Sequence, residues 1–237
     1  MPVLYYVPIA HSEETRILYY VPMIHTDEDL DDLGSTIKML REKAYGKNAS
    51  DHDERAIEDL WKEIRLWVHQ TVGDARGLII YQDGMPVGPR EKVHQLFNLV
   101  LAAHPRSPLF LLTQELIDMG AVLEGTEDIN LVTKRIAVYR EIYQAAEKCQ
   151  TLGDIQNFIV EKVEEQDGII LQADRFIARH IDQTLPEVGR GILFMGHRHK
   201  VIEEIIETQE AGFLSSPIKI YALKLTINKR AYDVLPS

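Results

Sequence analysis

The sequence predicts an α/β fold: a mainly parallel central sheet with helices on both faces and an extra helical portion in the middle of the chain. Three observations predict it. Short apolar runs of strand length recur at Ile17–Val21, Leu78–Tyr81, Ala121–Leu123 and Gly191–Met195. Helical patterns separate them, with apolar residues returning every three or four positions. Each run also gives way to turn-forming or ionisable residues, as strands do where they deliver the chain to the rim of a sheet. Strands that alternate with helices pair in parallel, because the helices make the crossovers.

The elements follow in order. Leu4-Tyr5-Tyr6-Val7-Pro8-Ile9-Ala10-His11 nearly repeats Leu18-Tyr19-Tyr20-Val21-Pro22-Met23-Ile24-His25 at an offset of 14 residues. That spacing is too short for a repeat unit and reads as a local duplication giving two adjacent strands. The second copy is the working one on this reading, because Thr26-Asp27-Glu28-Asp29 follows it as an N-cap and acidic first turn. A helix is predicted from about Asp27 to Lys43, then a polar break over Gly46–Asp53. Asp53–Val72 is strongly helical, with Ile57, Leu60, Trp61, Ile64, Trp67 and Val68 on one face. Leu78–Tyr81 is a strand that ends in the turn-rich segment Gln82–Pro89.

Helices are predicted at Arg90–Ala103 and Pro108–Met119, then a short strand at Ala121 with the acidic exit Glu124–Asp128. Two helices follow at Leu131–Lys148 and Leu152–Glu165, and a third at Ile169–Leu185 with Phe176, Ile177, Ile181 and Leu185 inward. After the Gly191 strand come a helix at Lys200–Gln209 and an edge strand at Pro217–Ile227. No linker divides the chain, so the reading is one α/β domain over 1–237 with helical insertions at roughly 27–75 and 128–168.

Bulk composition narrows the function classes. A chain of 237 residues with 45% hydrophobic and 27% charged residues is ordinary for a soluble globular protein. It is long enough to bury about three quarters of its unfolded surface. The net charge of −11 would be repelled by phosphate backbones, and Lys224, Lys229 and Arg230 form only a small basic cluster, so no nucleic-acid partner is predicted. The lone Cys149 excludes an internal disulfide and reads as a packed thiol. No leader pattern and no apolar run near the ~20 residues of a membrane span is present, which predicts a cytoplasmic protein with no membrane partner.

The candidate site residues stand where strands end. His25 follows the first strand, Asp83 the second, Glu124 and Glu127 the third, and His197 and His199 the fourth. Parallel strands bring such ends to one rim. His25, His199, Asp83 and Glu124 are the candidate catalytic residues, and His25, His199 and His197 the candidate metal ligands. Imidazoles with carboxylates suit Mn, Zn or Co, and a metal with an open position makes a bound water nucleophilic near neutral pH. Each also has a plainer reading: Asp83-Gly84 is a common turn former, and Glu124 or Glu127 is a fitting helix cap. Asp174, Arg175 and Arg179 read either as a paired helix surface or as holders of substrate. The chain has no Gly-x-Ser-x-Gly elbow, Walker loop, Gly-rich dinucleotide turn or His-Glu-x-x-His.

Gly196-His197-Arg198-His199 fits a Gly-x-x-His motif in full, and Pro22-Met23-Ile24-His25 supplies its histidine with Pro in place of Gly. On these residues and the order of elements around them, the chain resembles the superfamily of TraB, Tiki, ChaN and erythromycin-esterase-like proteins. Ala173-Asp174-Arg175-Phe176-Ile177-Ala178 resembles the helix before the second motif, with Ala173 where an Arg is common and Arg175 the available substitute. Asp83 stands for the usual acidic residue after the second strand. Tyr81–Gly84 and Gly125–Asp128 are also similar to segments of uncharacterised bacterial proteins, a likeness that brings no activity. The superfamily resemblance implies a metal-assisted hydrolase acting on a small molecule or peptide. Pro22 and Ala173 motivate the alternative, a non-catalytic ligand-binding or regulatory module that retains the fold. Trp61 and Trp67 lie on one helix and read as core, with a homodimer interface as the other option.

Overall fold

The computed structural model describes residues 15–24, 26, 38–39, 42, 46–148, 152–196 and 198–223. The first tyrosine-rich copy with His11, then His25, most of the helix expected over Asp27–Lys43, Cys149, His197, and Lys224, Lys229 and Arg230 lie outside them. The elements run β1 (Arg16–Met23), α1 (Lys47–Val72), β2 (Ile79–Gln82), α2 (Arg90–Ala103), α3 (Pro108–Asp118), β3 (Val122–Glu124), α4 (Ile129–Lys148), α5 (Leu152–Thr184), β4 (Gly189–Gly196), α6 (Val201–Glu210) and β5 (Ile218–Ala222). The strands form one sheet in the order β3-β2-β4-β1-β5, and every pairing is parallel.

This order fixes where the helices go. The connections out of β1 and β2 move toward the β3 edge, and those out of β3 and β4 move toward the β5 edge. Crossovers keep one hand, so a reversal of direction puts the helices on opposite faces. The packing agrees. Ile57, Trp61, Ile64 and Val68 of α1, Phe97 of α2 and Leu112 of α3 pack with Tyr19, Val21, Ile80, Ile192 and Phe194 on one face. Ala173, Ile177 and Ile181 of α5 and Val201 and Ile205 of α6 pack with Leu18, Tyr81, Leu193 and Met195 on the other. Neighbouring residues of each strand thus serve opposite cores, which is why the strands read as unbroken apolar runs. The chain leaves β2 and β4, which are neighbours, in opposite directions. The crevice outside their carboxyl ends is the topological switch point, where open α/β sheets bind ligands.

Several sequence details explain local geometry. Ser107 caps α3 by accepting from Phe110 N, with Pro108 in the first turn. Gly191 sits in the middle of the sheet because a Cβ there would lie 3.0 Å from Tyr81, 3.2 Å from Leu185 and 3.3 Å from Leu18. Trp61 is buried and donates its indole N–H to Ile24 O. Pro22 lies in a strand with neighbours on both sides and is still tolerated. Tyr20 O accepts from Leu223 N, so even-numbered residues of β1 turn their backbone toward β5, and the β1–β5 register stops at Tyr20↔Ala222. Pro22 therefore lacks an N–H only beyond the end of that ladder.

Two helix boundaries differ from expectation. α1 begins at Lys47, so the polar break shrinks to the turn at Gly46, whose φ is 85°. The helices expected at Leu152–Glu165 and Ile169–Leu185 are one helix, because Gln166-Asp167-Gly168 continues it without a turn. Among the described residues, no helix is long and apolar enough to cross a membrane.

The opposite end of the sheet is locked by Arg16, which is 1% exposed. Its Nη1 donates to Asp182 Oδ1 at 2.7 Å and Ser216 O at 2.9 Å, and its Nη2 donates to Asp182 O at 2.6 Å. One guanidinium thus ties β1, the end of α5 and the loop before β5. Asp182 is only partly buried and keeps Ser215 as a donor, so removing the guanidinium costs about 1–3 kcal/mol. Urea unfolding of Arg16→Met should show a loss of that order, and a loss below about 1 kcal/mol would mean that Arg16 does not lock this end of the sheet.

Candidate functional site

A connected polar cluster fills the switch-point crevice. Gln82 O accepts from Met85 N to close a turn in which Gly84 has a φ of 80°, a conformation that glycine adopts without strain. That turn presents Asp83 at the end of β2. Asp83 N donates to Phe194 O at 2.9 Å, and Asp83 Oδ2 accepts from Gly196 N at 3.2 Å, so its carboxylate straddles β2 and β4. Glu127 arrives from the loop after β3. Its backbone bridges Pro86 and its Oε1 accepts from Gly84 N. Gly125 makes this approach feasible, since a Cβ there would fall 2.3 Å from Pro86 O.

Arg135, two turns into α4, joins the pieces. Its Nη2 donates to Asp83 Oδ1 at 2.9 Å and to Glu127 Oε1 at 3.1 Å. Its Nη1 meets His199 Nε2 at 2.9 Å. His199 N donates to Gly196 O in the turn after β4, which brings the ring back over the crevice. Asp174 of α5 completes the chain: Oδ1 meets His199 Nδ1 at 2.5 Å, and Oδ2 accepts from Lys200 N at 2.7 Å, at the start of α6. A guanidinium only donates and the carboxylate of Asp174 accepts. In its neutral form His199 therefore carries its proton on Nδ1 and turns the lone pair of Nε2 toward Arg135.

Burial makes these contacts matter. Glu127 and Asp174 are each 1% exposed, and Asp83 and His199 each 8%. Burial pushes the Glu127 carboxyl up to about 7, with the neighbouring Asp83 charge adding to the effect and Arg135 opposing it. Burial works against charge on Arg135, but Asp83 and Glu127 more than offset it and keep the guanidinium charged. Burial also works against a charged His199, yet Asp174 and Asp83 together hold its affinity for a proton above the ordinary histidine range. Protonation at Nε2 would require Arg135 to withdraw. Tyr20 of β1 faces the same group: burial, Glu203, Asp174 and Asp83 push its hydroxyl up to about 12.

The expected site residues are thus only partly brought together. Asp83 and His199 meet through Arg135. His25 and His197 lie outside the described residues. Glu124 is not bonded into the cluster; its Oε2 pairs with Arg90 at 3.3 Å and its Oε1 lies 3.8 Å from His180. β3 stops at Glu124, and the chain then turns back through Thr126 so that Glu127 is the residue delivered to the crevice. Asp174 is a partner of His199 rather than a surface group. Arg175 and Arg179 fall on the outer face of α5, where Arg175 faces Glu204 at 3.5 Å and Arg179 donates to Arg175 O. Arg135 and Tyr20 were not among the expected residues.

The metal expectation meets a specific obstacle. The His199 lone pair and one oxygen each of Asp83 and Glu127 are already bonded to Arg135. Among the described residues, no group of three or more His, Cys, Asp or Glu is placed to hold a metal ion. Of the expected ligands, His199 is engaged by Arg135, and His25 and His197 lie outside the described residues. Comparisons with protein-family models, curated proteins and solved structures return no match to this chain.

The raised Glu127 pKa has a readable consequence. Between the unfolded value of about 4.3 and about 7, the native state holds a proton that the unfolded chain has released. Stability therefore falls as pH rises through that window and levels off above it. Glu127→Gln lacks this titration. Its melting temperature should gain on the parent between about pH 5 and about pH 8. A difference that stays constant over that range would mean Glu127 is ionised throughout.

Proposed function

We propose that the chain is a hydrolase in which protein groups, rather than a bound metal, activate the water. The observation that carries this reading is the buried His199, with Nδ1 on Asp174 and Nε2 on Arg135, at the topological switch point of the sheet. Asp174 fixes the tautomer and stabilises the imidazolium that forms when Nε2 takes a proton, the role an acidic partner plays beside a catalytic histidine.

In the resting protein Arg135 covers the lone pair. A bound carbonyl oxygen is an alternative acceptor for that N–H, so substrate entry uncovers the base and brings a donor to the oxygen at the same time. His199 Nε2 then takes a proton from water as the water oxygen bonds to the carbonyl carbon. Arg135 stabilises the developing negative charge. The bond to the leaving atom breaks as Nε2 returns the proton to it, and His199 ends neutral. Asp83 and Glu127 act as positioning residues that hold Arg135. The substrates this suits are small carboxylic esters, amides or short peptides.

A second reading is a ligand-binding module. It is favoured by the fact that the polar atoms of Arg135, His199 and Asp174 named above already satisfy one another at rest.

A panel of esters, amides and peptides tests the proposal. Hydrolysis by the parent should fall by about 10²–10⁴-fold in His199→Ala, the usual worth of a positioned base. Asp174→Asn should lower the rate in that same range and change its pH profile, since the tautomer is no longer fixed. Hydrolysis that survives His199→Ala would sink the hydrolase reading. Ligand binding without turnover, lost in His199→Ala, would favour the module.

A further inference from the structure

We infer that the Arg135 guanidinium occupies, with a charge of its own, the seat that a divalent cation would take among Asp83, Glu127 and His199, and that removing it converts the cluster into a metal site. Three donor atoms of metal-binding type converge on two nitrogens of one side chain: Asp83 Oδ1 at 2.9 Å, Glu127 Oε1 at 3.1 Å and His199 Nε2 at 2.9 Å. Two carboxylate oxygens and an imidazole nitrogen suit Mn, Fe, Co or Zn.

Two further features point the same way. His199 already gives its other ring nitrogen to the Asp174 carboxylate, the arrangement that orients metal-bound histidines. When Glu127 is ionised its buried Oε2 has no donor to accept from, and the Asp83 carboxylate is its neighbour, so two acceptors stand together that the guanidinium serves only in part. A carboxylate oxygen left over inside a protein is costly, and a compact dication would use it better than a planar fork.

The same facts say why the parent chain should not take a metal. Arg135 is held charged at the centre of its acceptors, and a second cation beside it would be repelled at low dielectric. Metal–ligand bonds of about 2.0–2.2 Å are also shorter than the contacts to the guanidinium, so the acceptors stand too far apart while it is present. All three acceptors sit on turns or loops at the rim, and metal binding in the variant requires them to draw together once it is gone. This inference does not depend on hydrolysis, because its readout is metal binding.

The test compares chelator-treated parent, Arg135→Ala and Arg135→Ala/His199→Ala with added Co²⁺, at about pH 8 so that Glu127 is ionised. Thermal unfolding and visible Co²⁺ absorption are recorded. The parent should show neither a melting shift nor an absorption band. Arg135→Ala should show a band and a rise of roughly 5–10 °C at a hundredfold excess over the dissociation constant. The double variant should lose both. If Arg135→Ala does not fold alone, refolding it with Co²⁺ should restore a cooperative transition. The inference is overturned if the parent binds Co²⁺ and loses it in Glu127→Gln. It is equally overturned if Arg135→Ala folds without binding, or stays unfolded with Co²⁺ present.

Discussion

A guanidinium taken out of water has to be surrounded by acceptors, and the described rim beyond β2, β3 and β4 is arranged around one that is. Arg135 projects from α4 into a crevice bounded by the ends of β2 and β4, and its side chain is 12% exposed. An isolated charge there would be prohibitive, and the attraction of the two carboxylates has to repay its desolvation. That requirement explains the loop geometry on either side. The Gln82–Met85 turn aims Asp83, the return of the chain past Pro86 delivers Glu127, and the turn after β4 delivers His199. With those in place a buried imidazole and a charged donor stand in direct contact at the rim.

The second buried guanidinium, Arg16, does the corresponding work at the other end of the sheet, and α5 links the two. Asp174 meets the rim cluster and Asp182 meets Arg16. They are eight residues apart on one helix, or about 12 Å at 1.5 Å per residue. Between them Ile177 and Ile181 press the helix against the sheet. The position of His199 in the crevice is thus set through a rigid element whose far end is itself held by an ion pair. Exposed surface groups such as Arg175 and Arg179 play no part in this.

Much of the fold was legible because its signals are local. Leu78–Tyr81 and the Gly191 run are uniformly apolar, the pattern that a strand covered on both faces must have. Pro108 after Ser107, and Arg90 after Pro89, mark helix starts in the sequence itself. The join within α5 was not legible. Gln-Asp-Gly resembles a turn, and only packing downstream of Gly168 decides that the helix goes on. Of the site, Asp83 and His199 could be picked out because each follows a strand, Asp83 inside a glycine-bearing turn and His199 just after one. Arg135 could not, since it lies beside Lys134 in a helix with many charges, and only the docking of α4 on the rim gives it a role. Glu124 and Glu127 both follow the third strand in the sequence, and the expectation falls on Glu124. The three-residue length of β3 separates them.

The shared guanidinium also constrains how this site can change over time. Asp83, Glu127 and His199 are all bonded to Arg135, so the effect of losing any one depends on whether the others remain. Contacting residues of this kind do not combine additively. A first substitution strands a buried charge or acceptor, and a second relieves part of that cost. Single steps away from the present arrangement therefore meet a steep penalty, whereas paired replacements cross more easily. The cluster should persist or disappear as a block, and a descendant with a different chemistry at this rim is most readily reached by exchanging Arg135 together with one of its acceptors.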